Sequence, residues 1–186
     1  MELKDAVRYR MSTAAITDEA PDDDELTALI AIAAHAPDHA GLRPWRLVSV
    51  RGKQRDRLGA ALVTGFGDEP GSAKALKTAR KVHQAPLLIG IVATLQDHPK
   101  VPRWEQISAC AAMVTTLELL LFEAGWTAMW RTGPGAELKE VHAMMGVSGH
   151  EKLLGWLYVG RTDVDRLPDR PRDPDVGTRL SSPPDV

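Results

Sequence analysis

Hydrophobic positions follow two different periods along the chain, and together they predict an α+β fold. Apolar residues spaced three and four apart predict helices, while apolar runs bounded by Gly or Pro predict strands. The predicted helices are Glu2–Arg10, Glu25–Ala36, Lys53–Val63, Ser72–Val82, Arg103–Ala124 and Glu137–Met145. The predicted strands are Trp45–Val50, Ala85–Thr94, Trp126–Arg131 and Lys152–Gly160. Helices interspersed with few strands indicate an α+β or three-layer arrangement around one mixed sheet.

Two of these elements are apolar on more than one face. Ala85–Thr94 is apolar at both alternating sets of positions, which predicts a central strand covered on both sides. The helix Arg103–Ala124 is apolar nearly all round, which is typical of a helix in the core or in a subunit interface. At the start of the second helix, Asp22 is a predicted N-cap with Glu25 placed as in a capping box, and Ser72 can cap the fourth helix.

The chain changes character near its end, which divides it into two parts. Residues 1–161 carry all the predicted helices and strands and suit one domain of ordinary size. Residues 162–186 are rich in proline and charge and show no apolar periodicity, so this tail cannot form a core alone. Such a tail is either disordered or laid across a partner.

Composition and charge exclude several classes of protein. The chain of 186 residues is 44% hydrophobic and 26% charged, as in globular domains. Its net charge of −2 gives no electrostatic footprint for nucleic acid. A single cysteine, Cys110, excludes an internal disulfide and fits a reducing cytosol, and we expect it to be a small buried residue. No signal peptide or membrane-spanning run is visible, so we expect a cytoplasmic protein.

The densest cluster of chemically active side chains is the stretch from His35 to Arg46, between a helix and a strand. A metal site could use His35, Asp38 and His39, but Pro37 lies between them and no other cluster supplies ligands. A nucleophile drawn from Cys110, Ser108 or Ser12 lacks a local signature such as a nucleophile elbow. We therefore predict neither a metal site nor a nucleophilic mechanism.

A nucleotide cofactor is a third interpretation of the polar clusters, and a non-enzymatic dimeric binding protein is the fourth. Arg10 with Ser12, and Arg131 with Thr132 and Gly133, combine a guanidinium with hydroxyl or open backbone groups, as phosphate binding requires. The His35–Trp45 loop would then lie at the ring end. Neither a Gly-x-Gly-x-x-Gly motif after a strand nor a Walker A sequence is present, which argues against the Rossmann and P-loop solutions.

Three blocks of the sequence resemble the nitroreductase family, and most closely its short, YdjA-like bacterial branch. They are Ala36–Arg46 (APDHAGLRPWR), Lys100–Gln106 (KVPRWEQ) and Trp130–Gly133 (WRTG), within a similarity that covers roughly residues 1–160. The resemblance implies a three-layer α/β/α sandwich with a central mixed, mainly antiparallel sheet. It also implies an intertwined homodimer with FMN at the interface, reduced by NADH or NADPH. Hydride would pass through the flavin to nitroaromatic, quinone-like or other small acceptors in a ping-pong cycle.

The resemblance also assigns cofactor-binding positions. They are Arg10, Met11, Ser12, His35, His39, Arg131, Thr132 and Gly133. Met11 and His35 stand where the family has arginine, Arg43 where it has glutamine, and Thr132 where it has serine. The helix Arg103–Ala124 would be the interface helix, and the tail 162–186 would wrap the partner subunit. No protein acid or base is assigned, since solvent can protonate the reduced acceptor.

Two further points stay open at the level of sequence. Trp104 and the Gly65–Gly71 loop are candidates to cover the substrate face, although interface packing also explains Trp104. The rival function is a non-catalytic flavin-binding or flavin-free dimer, for example a sensor or storage protein.

Overall fold

Within the described part of the chain, six α-helices and four β-strands follow one another in the order that the hydrophobic pattern predicts. The computed structural model describes residues 1–162, 176–177 and 179–183. The helices are α1 (Leu3–Tyr9), α2 (Asp23–Ala33), α3 (Lys53–Gly65), α4 (Ala73–Arg80), α5 (Arg103–Glu123) and α6 (Lys139–Met145). The strands are β1 (Trp45–Arg51), β2 (Leu87–Thr94), β3 (Thr127–Arg131) and β4 (Glu151–Gly160).

The four strands form one sheet in the order β1-β2-β4-β3. Every strand pair in the described part of the chain is antiparallel, in line with the expectation of a mainly antiparallel sheet. The central position of β2 is visible in its register, since Leu88 lies opposite both Val50 of β1 and Tyr158 of β4. Strand β3 lies at one edge, directly before the Arg131–Gly133 block.

The sheet is covered by helices on both faces, which confirms the three-layer arrangement. Leu87, Ile89, Ile91 and Ala93 of β2 pack in one core cluster with residues of α2 and α5. The alternate β2 residues Leu88 and Val92 pack in a second cluster with residues of α3 and α6. Because successive side chains of a strand point to opposite faces, the continuous apolar run of β2 requires both layers.

Helix α5 is the longest element, with 21 residues. By length and composition alone it could span a membrane, which the sequence analysis did not anticipate. Seven of its residues are buried in this domain, including Cys110 and Leu117, so α5 packs as a core helix. Burial raises the pKa of the Cys110 thiol to about 12, so this cysteine is the inert, buried residue that we expected.

The helix starts follow the capping predictions, with one difference. The Asp22 side chain accepts a hydrogen bond from the Glu25 backbone N–H at 2.8 Å, and Ser72 accepts one from the Ala75 backbone N–H at 3.1 Å. The Glu25 carboxylate, however, accepts a hydrogen bond from the indole of Trp126 at 2.7 Å. Glu25 therefore links α2 to the start of β3.

Most boundaries differ from the sequence prediction by one to three residues, and the ends of α2 and α4 show the reasons. Helix α2 ends at Ala33 rather than Ala36, since the residue before Pro37 is disfavoured in helical geometry. Helix α4 ends at Arg80, and residues Lys81–His83 continue as a 3-10 turn. Most of the predicted tail, 162–186, lies outside the described residues, so its proposed contact with a partner subunit stays a prediction.

A two-pronged ion pair joins the first strand to the last. The Arg46 Nε donates to Glu151 Oε1 at 2.6 Å, and its Nη2 donates to Oε2 at 2.8 Å and to the Gly146 carbonyl at 2.7 Å. The Ser148 backbone N–H also donates to the Glu151 carboxylate at 2.9 Å. The hydrogen bond from Arg46 lowers the pKa of the Glu151 carboxyl to about 2.

We expect Glu151→Gln to lower the free energy of unfolding at pH 7 by about 1–2 kcal/mol, since charge-assisted hydrogen bonds are lost. The folded-state pKa lies below the ordinary value of 4.5, so the unfolded state binds more protons between the two pKa values. The advantage of the natural protein should therefore be complete above pH 4.5 and should disappear as the pH falls towards 2. Urea unfolding at a series of pH values measures it.

The matched control is Glu137→Gln, which removes an exposed carboxylate outside this ion pair. It should leave stability unchanged at every pH. Equal unfolding free energies for the natural protein and Glu151→Gln at pH 7 would show that the Arg46–Glu151 pair contributes nothing net.

Candidate functional site

A buried carboxylate connects the N-terminal arginine to the end of β3. Arg10 follows the last residue of α1, and its Nη1 lies 3.8 Å from Glu118 Oε1 on α5. Both side chains are largely buried, with exposed fractions of 23% and 10%. A hydrogen bond from the Trp130 backbone also reaches the Glu118 carboxyl. The Glu118 carboxylate therefore contacts Arg10 and also the backbone of Trp130, the residue directly before the predicted Arg131–Gly133 segment.

The protonation of Glu118 depends on opposing effects. Burial raises the pKa of its carboxyl, while the positive charge of Arg10 and the hydrogen bond from Trp130 lower it. The raised pKa shows that the cost of removing this carboxyl from water exceeds the compensation from its partners. An additional anion beside Arg10 would compete with Glu118 for the same guanidinium.

The predicted ring-end loop is held in an unusual backbone conformation. Ala40 has φ of 63° and Arg43 has φ of 46°, although neither is glycine. A residue other than glycine is strained in this left-handed backbone conformation, and such strain is often found at binding sites. The loop is closed by Asp38, whose carboxylate accepts a hydrogen bond from the Arg43 backbone N–H at 2.6 Å. Asp38 thus shapes the loop.

His39 projects from this loop and is oriented by the second sequence block. Its Nδ1 lies 2.7 Å from the Oε1 of Glu105, in the first turn of α5. Because the carboxylate can only accept, Nδ1 carries the proton and Nε2 remains available to a ligand. The neighbouring Gln106 is buried and donates to the carbonyls of Gln96 and Val101 at 2.8 and 3.0 Å, which holds the segment before α5.

Helix α5 also sets the distance between the two predicted ends of the site. Glu105, which contacts His39, and Glu118, which contacts Arg10, are thirteen residues apart on one continuous helix. At a rise of about 1.5 Å per residue, this corresponds to roughly 20 Å along the helix axis. Arg10 and His39 of one chain are thus held at opposite ends of α5.

Arg131 lies on the other face of the sheet from Glu118. Its guanidinium stacks over the Tyr158 ring with 4.9 Å to the ring centre, and its Nη1 donates to the Gln84 side chain. Tyr158 belongs to the core cluster of the α3 and α6 side. Burial raises the pKa of the Tyr158 hydroxyl, with Arg131 opposing the effect. Arg131 is therefore placed beside α4 and away from Arg10.

Arg131 forms one wall of a cavity of about 500 Å³ at the end of α4. Its other polar lining comes from Lys77, Arg80, Lys81 and Gln84, and its apolar lining includes Leu76. No carboxylate lines it. The basic face of α4 and Arg131 together form the wall of an electropositive cavity.

The backbone around Thr132 and Gly133 is open. Gly133 has φ of 139°, a conformation that favours glycine, and its Cα faces open space. On β4, Gly155 has φ of 116°, and a Cβ there would overlap the carbonyl oxygen of Arg131. Glycine at 155 therefore permits the close approach of β4 to the end of β3, which positions the Arg131–Gly133 segment.

The remaining predicted residues are accessible. Met11 is half-buried, while Ser12, His35 and Thr132 are exposed, and Trp104 is 69% exposed at the start of α5. The Gly65–Gly71 loop is anchored, because the buried Asp68 carboxylate accepts a hydrogen bond from Thr78 and an ion pair from Lys74, each at 2.8 Å. This loop is therefore tied to α4.

Sequence reasoning missed two acidic residues of the site. Glu118 is the only charged residue between Gln106 and Glu123, and a lone carboxylate on a buried apolar helix is a detectable signal. Glu105 was part of a recognised block but had no assigned role. Nothing in the sequence places it beside His39, 66 residues earlier.

The comparisons with known proteins point to one family. The model of the Nitroreductase family matches residues 7–161. The Escherichia coli (strain K12) protein named "Putative NAD(P)H nitroreductase YdjA" is 30% identical over 161 residues, which cover 86% of this chain and 88% of the relative.

Solved structures show the same fold. A nitroreductase-like family protein from Bacillus cereus superposes with a TM-score of 0.86 at 21% identity, covering 98% of this chain and 96% of the other. The FMN-dependent nitroreductase NfnB from Mycobacterium smegmatis, solved in complex with NADPH, superposes with a TM-score of 0.74 at 17% identity, covering 97% of each chain. With a family match over most of its length and a relative at 30% identity, the chain belongs to the nitroreductase family.

Proposed function

We propose that this protein is a homodimeric, FMN-dependent NAD(P)H oxidoreductase that reduces nitroaromatic, quinone-like or other small acceptors. The observation that carries the proposal is the buried Glu118 carboxylate, which contacts both Arg10 and the Trp130 backbone directly before the Arg131–Gly133 segment. Family membership supports the same activity, as do the names of a relative and of a structural neighbour.

The residues present fit FMN in the chemistry of their donors. Arg10 and the exposed Ser12 supply a guanidinium and a hydroxyl for the phosphate. The open backbone at Gly133 leaves room for a flat ring, and Nε2 of His39 can accept a hydrogen bond from it. Met11 contributes no charge, so Arg10 carries more of the phosphate binding than it would beside a second arginine.

FMN, when bound, accepts a hydride from reduced nicotinamide and passes it to the acceptor. The side chains of the protein would bind this cofactor and orient it. Lys81 and Arg131 line one cavity beyond the end of β3 and supply positive potential where negative charge develops on reduction. Glu118 holds Arg10, Glu105 holds the His39 proton at Nδ1, and the closed Asp38–Arg43 loop fixes where His39 points. We assign no protein acid or base.

The separation along α5 supports a site made by two chains. One chain holds Arg10 and His39 about 20 Å apart along the helix. When two α5 helices pair about a two-fold axis, the start of one helix approaches the end of the other. In that arrangement Arg10 of one subunit and His39 of its partner face one FMN, with Met11 and His35 in the same two segments and Thr132 in the third, Arg131–Gly133.

The apolar surface of a single chain supports the homodimer. Leu3 and Val7 of α1 are 72% and 59% exposed, and Trp104 is 69% exposed. A groove of about 160 Å³ between α1 and α5 is lined by Leu3, Leu119 and Leu120 among others. Exposed apolar side chains beside an apolar groove are typical of a subunit interface. We further propose that the tail 162–186 wraps the partner and that the dimer works in the cytoplasm.

The first prediction is spectroscopic. The purified protein, or the protein supplied with FMN, should show flavin absorption in the visible range, and anaerobic NADH or NADPH should bleach it. A colourless protein that gains no flavin absorption would overturn cofactor binding. A flavin that neither nucleotide bleaches would leave a flavin-binding sensor or storage protein as the function.

The second prediction concerns Arg10. Arg10→Ala should raise the Kd for FMN about tenfold or more, since a charged hydrogen-bond donor to the phosphate is lost. FMN fluorescence quenching during titration of the apoprotein measures the Kd. Arg8→Ala is the matched control, because Arg8 is an exposed arginine of α1 whose guanidinium lies over the Tyr9 ring. An unchanged Kd in Arg10→Ala would remove Arg10 from the site.

The third prediction tests whether two chains share each site. Arg10→Ala and His39→Ala homodimers should each bind FMN weakly. A dimer mixed from the two variants should regain one tight site per dimer, since one site then receives the natural Arg10 and the natural His39. FMN stoichiometry of the isolated mixed dimer measures it.

In a site formed by a single chain, mixing the two variants would give no tight site, because each chain would still carry its own defect. That outcome would contradict the shared site and leave FMN binding itself untouched.

A further inference from the structure

Four positively charged side chains line the cavity between α4 and β3, which is more than the binding of one flavin ring requires. Lys77, Arg80 and Lys81 lie at i, i+3 and i+4, so they share one helical face, and Arg131 lies opposite them. Arg131 is held by Gln84 and Tyr158. Lys77, Arg80 and Lys81 are exposed, and none of them forms an ion pair within the described residues.

A bound anion would relieve the repulsion among these cations, of which, in the described part of the chain, only Lys81 interacts with a nearby carboxylate, that of Asp68. Like charges three and four residues apart on a helix repel each other. The cavity-lining residues include no Asp or Glu that could offset them. A cavity of about 500 Å³ with cations on its rim and Leu76 on its wall suits a ligand with both an apolar ring and an anionic group.

The phosphate of FMN is not the best occupant of this cavity. The Arg10 guanidinium, which the proposed function assigns to that phosphate, contacts Glu118 of α5. Helix α5 packs on the face of the sheet opposite Tyr158, over which Arg131 lies. A flavin with its phosphate at Arg10 would reach this cavity only with its ring end. Lys77 and Arg80, which the proposed function does not assign to the flavin, would then be open to a ligand that approaches the ring.

We propose that Lys77 and Arg80 bind the phosphate groups of the nicotinamide dinucleotide that reduces the flavin. This inference rests on the proposed function, because it takes the ring end of the site to lie at this cavity. Guanidinium forks and ammonium groups are the usual partners of phosphate oxygens. The 2′-phosphate of NADPH and the pyrophosphate that NADPH shares with NADH are the two candidate groups.

The test compares a double variant, Lys77→Gln with Arg80→Gln, with the matched double variant Lys53→Gln with Arg57→Gln. The control pair is one lysine and one arginine on α3, both exposed, and neither lines the cavity. Titration calorimetry measures the Kd of NADP⁺ and of NAD⁺ for each protein, a readout that needs no turnover. Steady-state kinetics with NADPH and NADH then separate KM from kcat.

We expect the Lys77 and Arg80 variant to raise the Kd of NADP⁺ and the KM for NADPH about three- to tenfold, as for exposed charge pairs. The natural protein should also lose NADP⁺ affinity as ionic strength rises, more steeply than this variant. A loss confined to the phosphorylated nucleotide identifies the 2′-phosphate. An equal loss with NAD⁺ identifies the pyrophosphate, and both results support the proposal.

Nucleotide affinity equal to that of the Lys53 and Arg57 control would overturn the inference, and so would a loss of FMN from the Lys77 and Arg80 variant with unchanged nucleotide affinity. A larger KM for an anionic acceptor such as 4-nitrobenzoate, with NADPH unaffected, would overturn it in favour of acceptor binding. A natural protein that takes up no FMN overturns the proposed function instead, and the NADP⁺ titration still reports on the cavity.

Discussion

The apolar central strand β2 is the constraint on which the rest of the structure depends. Its two sets of side chains, Leu87 to Ala93 and Leu88 with Val92, must both leave water. Helices α2 and α5 cover one face, and α3 and α6 contribute to the layer on the other. Every candidate site residue takes its position from this sandwich, since Glu105 and Glu118 belong to α5 and Arg131 ends the edge strand β3.

The polar groups of the site are arranged around the open end of β3. On one face of the sheet, Glu118 holds Arg10 next to the Trp130 backbone. On the other face, Arg131 joins the basic side chains of α4 around a cavity. A ligand with a phosphate at one end and an electron-accepting ring at the other matches this distribution of charge, which is why FMN fits better than a metal or a nucleophile.

The same helix that organises the core also supports the proposed homodimer. Helix α5 is apolar on several sides but buries only seven residues within the domain, and α1 adds Leu3 and Val7 to the exposed surface. Burying this surface against a second copy would remove apolar area from water. Dimer formation would also bring together the Arg10 and His39 ends that α5 keeps apart. Assembly of the dimer would then complete the proposed cofactor site.

The sequence by itself determined the elements and the family. Apolar periodicity located six helices and four strands, because a helix or strand repeats its buried face at a fixed period. Three blocks carried the family resemblance. The sequence could not reveal that Glu105 contacts His39 or that Glu118 contacts Arg10. It also could not reveal that Arg131 and α4 line one basic cavity. The Glu105–His39 and Glu118–Arg10 contacts join residues 66 and 108 positions apart, whose neighbours in space depend on how the layers pack. Only the tertiary structure decides contacts of that kind, since local periodicity contains no information about which faces meet.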